Sequence, residues 1–343
     1  MVHLEDIKRE ARRVLEDGRV KYVIGYKRGT NGLMAVPAFI REPAEVEQLI
    51  WEATCVHNLS RFLVDEKRRK SREREPDNRP VAIIAKGCDT RAINVLLQEK
   101  FIRREDVYII GVSCEKAGVV DPVKLAEKYK GKKPESVTFD RENHFLVATK
   151  SASIKVPVEE ILAARCLECK ANYPVIYDVL LGEAVKKKCP NYYKSLEDIE
   201  SHPADIRWNT WKEELDKCIR CYACRSVCPM CYCEECVVDS ISIAVTPETT
   251  AQEKAQKIKW LEKSPALSEN LFYHMIRALH LAGRCIDCGE CGRVCPVDIP
   301  IRLLNKKMEK EAKKLFDYEA GFHVDQPSLV SCFRDDDPQD FIL

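Results

Sequence analysis

Two stretches of the chain repeat one cysteine spacing, Cys218-x2-Cys221-x2-Cys224-x3-Cys228-Pro229 and Cys285-x2-Cys288-x2-Cys291-x3-Cys295-Pro296. Three thiols set this closely wrap one loop around a single 4Fe-4S cubane. The fourth opens the next segment and reaches the other cluster of a two-cluster protein. The spacing therefore predicts two crossed ligand sets: Cys218, Cys221 and Cys224 with Cys295, and Cys285, Cys288 and Cys291 with Cys228. A structural zinc site uses two cysteine pairs or a Cys/His set, not this repeat. The proline after each fourth cysteine turns the chain away from its cluster. Gly289 and Gly292 suit close approach of the backbone to sulfur.

The chain holds 18 cysteines among its 343 residues. A secreted disulfide framework would be a short chain behind a signal sequence, so these thiols are expected to bind metal or lie buried in a reducing compartment. The N-terminal MVHLEDIKREARRVLEDGR reads as a charged amphipathic helix and not as a signal peptide. No apolar run approaches membrane-spanning length. Together these features predict a cytoplasmic location. A formal net charge of +1 gives no global electrostatic case for nucleic acid or an anionic membrane.

Ahead of the cysteine repeats, residues 1–65 read as a helix, a strand from Tyr22 to Tyr26, a turn near Gly29 and a helix from about Pro43 to Leu63. The run KRRKSREREPDNR reads as a solvated loop. Val81–Ala85 is a short apolar run followed by Lys86-Gly87-Cys88-Asp89, a helical stretch from Arg91 to Lys100, and a second apolar run from Val107 to Val112 that leads to Cys114. Strand, turn, helix, strand is a βαβ unit with parallel pairing. Ligand loops in such sheets lie at the carboxyl ends of the strands, where Cys88 and Cys114 fall. Residues 158–186 read as helix around Cys166 and Cys169. Beyond Trp208 the pattern is helical, at Gln252–Glu262, at Glu269–Ala282 with Ser268 as cap, and at Arg302–Phe316. The expected architecture is an α/β N-terminal domain with a parallel or mixed sheet over residues 1–205. A mostly helical dicluster domain follows over 206–316, and then an irregular, acidic tail over 317–343.

The long helical insert between the two motifs resembles the α-helical ferredoxin domain of heterodisulfide reductase and fumarate reductase iron–sulfur subunits. The stretches Arg277–Cys285 and Cys228-Pro229-Met230-Cys231-Tyr232-Cys233 resemble dicluster subunits of sulfhydrogenase and anaerobic sulfite reductase. Upstream, Val23-Ile24-Gly25-Tyr26, Lys86-Gly87-Cys88-Asp89-Thr90-Arg91-Ala92, Ile110-Gly111-Val112-Ser113-Cys114 and Cys166-x2-Cys169 lie in a region, about Val20 to Glu183, that resembles the coenzyme F420 hydrogenase/dehydrogenase beta-subunit family. The resemblance implies a third 4Fe-4S cluster on Cys88, Cys114, Cys166 and Cys169. Taken alone, Cys88 and Cys114 also read as small buried residues at strand ends. Members of that family couple a flavin to iron–sulfur clusters, so the resemblance implies FAD as well, although no GxGxxG follows any strand. The cysteine repeats follow the beta-subunit-like region here, where the family pattern would have them precede it.

Cys231, Cys233 and Cys236 read as packing around the clusters, with a further metal, completed by Cys189 or Cys332, as the alternative. Cys55 reads as a core thiol on an amphipathic helix, and His274, His280, Trp208 and Trp211 as packing residues. No Ser/His/Asp arrangement or phosphate-cradling loop is evident. In the tail, Phe322, Phe333 and Phe341 suit either a partner or a fold back onto the chain's own domain. The expected function is one-electron carriage by a subunit of a cytoplasmic anaerobic oxidoreductase complex. Its partners would be catalytic subunits of a hydrogenase, a formate dehydrogenase or a heterodisulfide-reductase-like enzyme. The rival is a flavin-containing oxidoreductase that itself oxidises or reduces a deazaflavin or nicotinamide coenzyme.

Overall fold

Ile7, Ala11 and Val14 recur at helical spacing and are fully buried, so the first segment forms an amphipathic helix, α1 (Leu4–Glu16), laid on a sheet. This computed structural model describes all residues except 1–2, 31–33, 115–117, 130–133, 141–142, 151, 185–188, 190, 235, 237, 239–249, 251, 253–263, 331 and 333–343. The chain forms two units. One comprises residues 1–193 with 286–288 and 319–337, and the other residues 194–285 with 289–318 and 338–343.

In the first unit, β1 (Val23–Lys27) and β2 (Val36–Ile40) pair antiparallel. After α2 (Arg61–Lys70) come β3 (Val81–Ala85), α3 (Gly87–Gln98) and β4 (Val107–Val112), the βαβ unit foreseen from the apolar runs. Every residue of β3 is buried, as expected of a central parallel strand covered on both faces. Helix α4 (Pro122–Lys128) leads to a meander of β5 (Pro134–Phe139), β6 (His144–Thr149) and β7 (Ser153–Pro157). Val137, Phe145, Val147 and Val156 alternate inward there and pack on Val120, Leu125 and Leu162. Two single-turn helices, α5 (Val158–Ile161) and α6 (Ala164–Leu167), precede β8 (Val179–Leu181). The main sheet has the order β2-β1-β3-β4-β8 and is parallel except for β2, so it is mixed.

Two helices expected from the sequence are not formed as such. The stretch Pro43–Leu63 holds only a 3-10 turn, Pro43–Gln48, before α2 begins at Arg61. The intervening donors go elsewhere: Ile50 N–H donates to the Tyr26 carbonyl and Ala53 N–H to that of Val137, which removes the i→i−4 ladder. Cys55 lies in this irregular stretch, buried as expected but not on a helix. Beyond Leu167 the expected helix gives way to turns and irregular backbone as far as β8. There the Asn172 carbonyl accepts from Cys114 N–H, and Asp178 N–H donates to the Ile109 carbonyl.

The second unit is helical: α7 (Lys194–Glu200), α8 (Ala204–Asp216), α9 (Ala223–Ser226), α10 (Leu267–His280), α11 (Glu290–Arg293) and α12 (Ile301–Phe316). Its core sets Leu215, Tyr273, Ile299 and Ile301 among the thiols of Cys218, Cys224 and Cys291. Ser268 falls inside α10 and does not cap it, because the helix starts one residue earlier with Ala266 at its N-cap. The helix expected at Gln252–Glu262 lies outside the described residues, apart from residue 252. Trp208 is exposed and packs less than its size suggested. Among the described residues no helix is long and apolar enough to cross a membrane.

Candidate metal centres

The two cysteine repeats share one backbone path. Left-handed residues stand at equivalent places in each, Arg220 (φ 55°) and Asp287 (φ 54°), then Tyr222 (φ 60°) and Gly289 (φ 67°). A short helix follows in both copies, α9 and α11. Gly289 meets that conformation without a Cβ penalty, whereas Tyr222 carries about 1–2 kcal/mol of strain. A Cβ at Gly292 would meet no protein atom within 4 Å, so no other residue packs against it there.

In the second unit, side chains from α10 and α12 aim donors at the sulfurs of these loops. His274 and Arg277, on one face of α10, reach the first motif. His274 Nε2 lies 3.3 Å from Cys218 Sγ. Arg277 Nη1 donates to Cys224 Sγ at 3.4 Å, and its Nη2 donates to the Cys224 carbonyl at 3.2 Å. Asn270 Nδ2 ties the approach to the loop by donating to the carbonyls of Leu215 and Cys218. In the second motif, Asn305 Nδ2 donates to Cys291 Sγ at 3.7 Å and Ile299 N–H to Cys295 Sγ at 3.3 Å. Such donors compensate the negative charge that ligating thiolates keep. Burial raises the Cys218 and Cys224 thiols above their ordinary range, so as free thiols they stay protonated until a metal cation displaces the proton. Cys231 is held low, at about 5, by its hydrogen bond with Cys228 and then by Arg277, so it packs directly beside a predicted ligand. Cys233 and Cys332 are exposed, and the Cys189 thiol donates to the Leu167 carbonyl.

A second constellation lies wholly within the first unit. Cys88, Cys114, Cys166 and Cys169 line one cavity with Lys86, Arg91, Arg165, Glu168, Asp287 and Cys288. Cys88 stands in the first turn of α3, where the partial positive charge of a helix N-terminus favours a thiolate. Cys114 follows β4, whose register with β3 sets Ala85 opposite Gly111, so the two strand ends emerge side by side. Residue 87 has to be glycine. A Cβ there would strike the Ala171 carbonyl oxygen and stand 2.6 Å from that of Tyr173, on the segment that brings Cys169 in. Amide donors meet two of the sulfurs, Val119 N–H on Cys166 Sγ at 3.5 Å and Ala171 N–H on Cys169 Sγ at 3.3 Å. Burial pushes Cys88 well above the usual thiol range, Cys114 to about 12 and Cys169 to about 11. Among the described residues no three His, Cys, Asp or Glu side chains close on a single metal ion, which a cubane, with its ligands spread around four irons, does not require.

The cations of this cavity were not foreseen from the sequence. Lys86 is 4% exposed, pairs with the fully buried Asp89 at 3.1 Å and donates to the His57 carbonyl at 2.9 Å. Arg165 donates to the carbonyls of Cys288 and Val56. Arg91 donates through Nε and Nη2 to the Ala320 carbonyl and through Nη1 to that of Ile286. Their one sequence signal is adjacency: Lys86 and Arg91 stand within three residues of Cys88, and Arg165 directly precedes Cys166.

Comparison with known proteins bears on both regions. Residues 78–211 match the family described as the C terminus of the coenzyme F420 hydrogenase/dehydrogenase beta subunit, and residues 214–299 match the 4Fe-4S dicluster domain, a domain for two such clusters. The beta subunit of the F420-dependent formate dehydrogenase from Methanocaldococcus jannaschii is 23% identical over 382 residues, covering 94% of this chain and 92% of the relative. The beta subunit of F420-dependent formate dehydrogenase 1 from Methanococcus maripaludis is 23% identical over 377 residues, covering 92% and 90%. A chain of the F420-reducing [NiFe] hydrogenase complex from Methanosarcina barkeri aligns over 48% of this chain and 58% of its own, at 14% identity and a TM-score of 0.37, a likeness too slight to carry an argument.

Proposed function

Since the chain joins an F420 hydrogenase/dehydrogenase beta-subunit domain to a 4Fe-4S dicluster domain and is homologous to beta subunits of F420-dependent formate dehydrogenases, we propose that it is the iron–sulfur electron-transfer subunit of a cytoplasmic oxidoreductase complex of that kind. The observation that carries the reading is the convergence of Cys88, Cys114, Cys166 and Cys169 on one cavity, in a chain that also holds two complete cluster motifs. On this reading residues 1–205 form the beta-subunit-like domain, 206–316 the dicluster domain and 317–343 the tail. Cys218, Cys221, Cys224 and Cys295 hold one cluster, and Cys285, Cys288, Cys291 and Cys228 the other. Cys88, Cys114, Cys166 and Cys169 hold a third.

Iron–sulfur groups, when bound, supply one-electron acceptance and release and no substrate chemistry. The residues of the chain provide the setting. Lys86, Arg91 and Arg165 balance negative charge around the N-terminal cavity, and the Val119 and Ala171 amides orient Cys166 and Cys169. An ordinary two-electron donor meets such a chain only through a two-electron centre, and FAD, on this subunit or its partner, would supply that junction.

Iron and acid-labile sulfide analysis of anaerobically purified protein tests the reading. About twelve irons per chain are expected, and about eight in a variant with Cys166 and Cys169 both changed to Ser. A wild-type chain that holds about eight irons under reconstitution would remove the N-terminal cluster. Stoichiometric zinc without iron would remove all three. An absorbance spectrum of the same sample reports whether this chain carries flavin.

A further inference from the structure

The segment Ile286–Cys288 carries the second cysteine of the second motif, yet it belongs to the first unit. Two arginines of that unit hold it. Arg165, the residue before Cys166, donates through Nη1 to the Cys288 carbonyl and through Nη2 to that of Val56. Arg91, 2% exposed, donates through Nη1 to the Ile286 carbonyl at 3.0 Å. Its Nε and Nη2 are fixed on the Ala320 carbonyl at 3.1 and 2.9 Å. Each guanidinium thus has a foothold of its own besides its bond to the segment, and its planar fork sets the two acceptors in one fixed relation. Bonds from a charged donor are also among the stronger ties available to a carbonyl. The same two cations face the thiols of the N-terminal cavity: the Arg165 charge acts on Cys88 and the Arg91 charge on Cys169. The Asp287 charge acts on Cys169 too. Cys288 accordingly lines one cavity with Cys88, Cys114, Cys166 and Cys169.

We infer that Arg165, with Arg91, is a positioning residue that holds Ile286–Cys288 against the N-terminal cavity, so that the cluster which takes Cys288 exchanges electrons directly with the one on Cys88, Cys114, Cys166 and Cys169. The inference rests on the three-cluster reading above. In each exchange one electron leaves one cluster and enters the other. No bond to protein forms or breaks, and no proton is needed. The rate of such a transfer falls steeply with separation. A short segment held by two forked donors therefore decides whether the N-terminal cluster is wired to the dicluster pair or stands isolated from it.

The test is EPR of the full-length, anaerobically loaded protein reduced with dithionite, with iron analysis of the same samples. Two reduced clusters that lie close together split each other's signals. Wild type should hold about twelve irons and show a splitting that disappears when Cys166 and Cys169 are both changed to Ser, which leaves about eight irons and the coupling of the dicluster pair alone. A wild type with about twelve irons and no such added splitting overturns the inference. A wild type with about eight overturns the three-cluster reading and the inference with it, a result told apart by the iron count. Arg165→Gln loses both charge and fork, and Arg165→Lys loses the fork alone. The splitting should collapse in each while the iron stays. Collapse in either variant at full iron content supports the positioning role. Wild-type splitting in every variant that keeps its iron overturns that role, and iron lost from both overturns it in favour of plain support of the fold.

Discussion

Gly118, with φ at +100°, leaves its missing side chain where Cys166 needs room: a Cβ there would stand 2.7 Å from Cys166 Sγ. The residue answers two demands at once, a left-handed turn that L side chains rarely adopt and close approach to a predicted ligand. Gly118→Ala is expected to cost about 1–3 kcal/mol from backbone strain and displacement of the thiol. The measurable consequence is selective. Iron should fall by about four per chain, with the EPR signals of the dicluster domain preserved. An alanine variant with full iron and wild-type denaturant midpoint would show that the Cys166 sulfur does not depend on this turn.

Helix α3 shows how an element becomes fixed by parts of the chain far away. Arg91 holds the carbonyls of Ala320 and Ile286 and lies over the Phe322 ring at 4.0 Å. Asn94 Nδ2 donates to the Gly321 carbonyl, and Gln98 Nε2 to those of His323 and Gln326. The start of the tail thus folds back on its own unit, and Phe322 takes the inward alternative foreseen for it, while Phe333 and Phe341 lie outside the described residues. Arg91→Met, which keeps the length but not the donors, should destabilise the protein by about 2–4 kcal/mol, since three charge-assisted bonds to buried carbonyls are lost. Phe322→Ala, which deletes only a stacked ring, should cost less. Chemical denaturation of the two variants gives the comparison, and an Arg91→Met midpoint equal to wild type would refute the clamp. Elements defined by local pattern were legible: the parallel β3–α3–β4 unit from its apolar runs, and the two cluster loops from cysteine spacing. Elements defined by distant partners were not. The β5–β6–β7 meander has short, interrupted alternation, and the stretch after Gln48 spends its amide donors on Tyr26 and Val137. At the site the same division holds, with the thiols legible and the cations that surround them mostly not.

At the scale of the whole molecule, the cysteine motifs and the relatives the chain is similar to both point to a subunit that carries single electrons. Twelve cysteines fall into three candidate ligand sets of four, two in the dicluster motifs and one around the N-terminal cavity. A chain of that kind meets two-electron metabolism only beside a two-electron centre. The relatives it resembles are named as beta subunits, and they align along nearly their full length. Anaerobic purification from the native host at low ionic strength should therefore recover the chain in an assembly with a larger catalytic subunit, and the assembly should reduce a viologen dye with formate or hydrogen. Stripping the partner should leave a brown chain that keeps its iron and its EPR signals but loses reduction by either donor. A lone chain that carries flavin and reduces the dye with a deazaflavin or nicotinamide at enzyme-like rates, about 1 per second or faster, would transfer the catalytic role to this polypeptide and make the flavoenzyme reading the correct one.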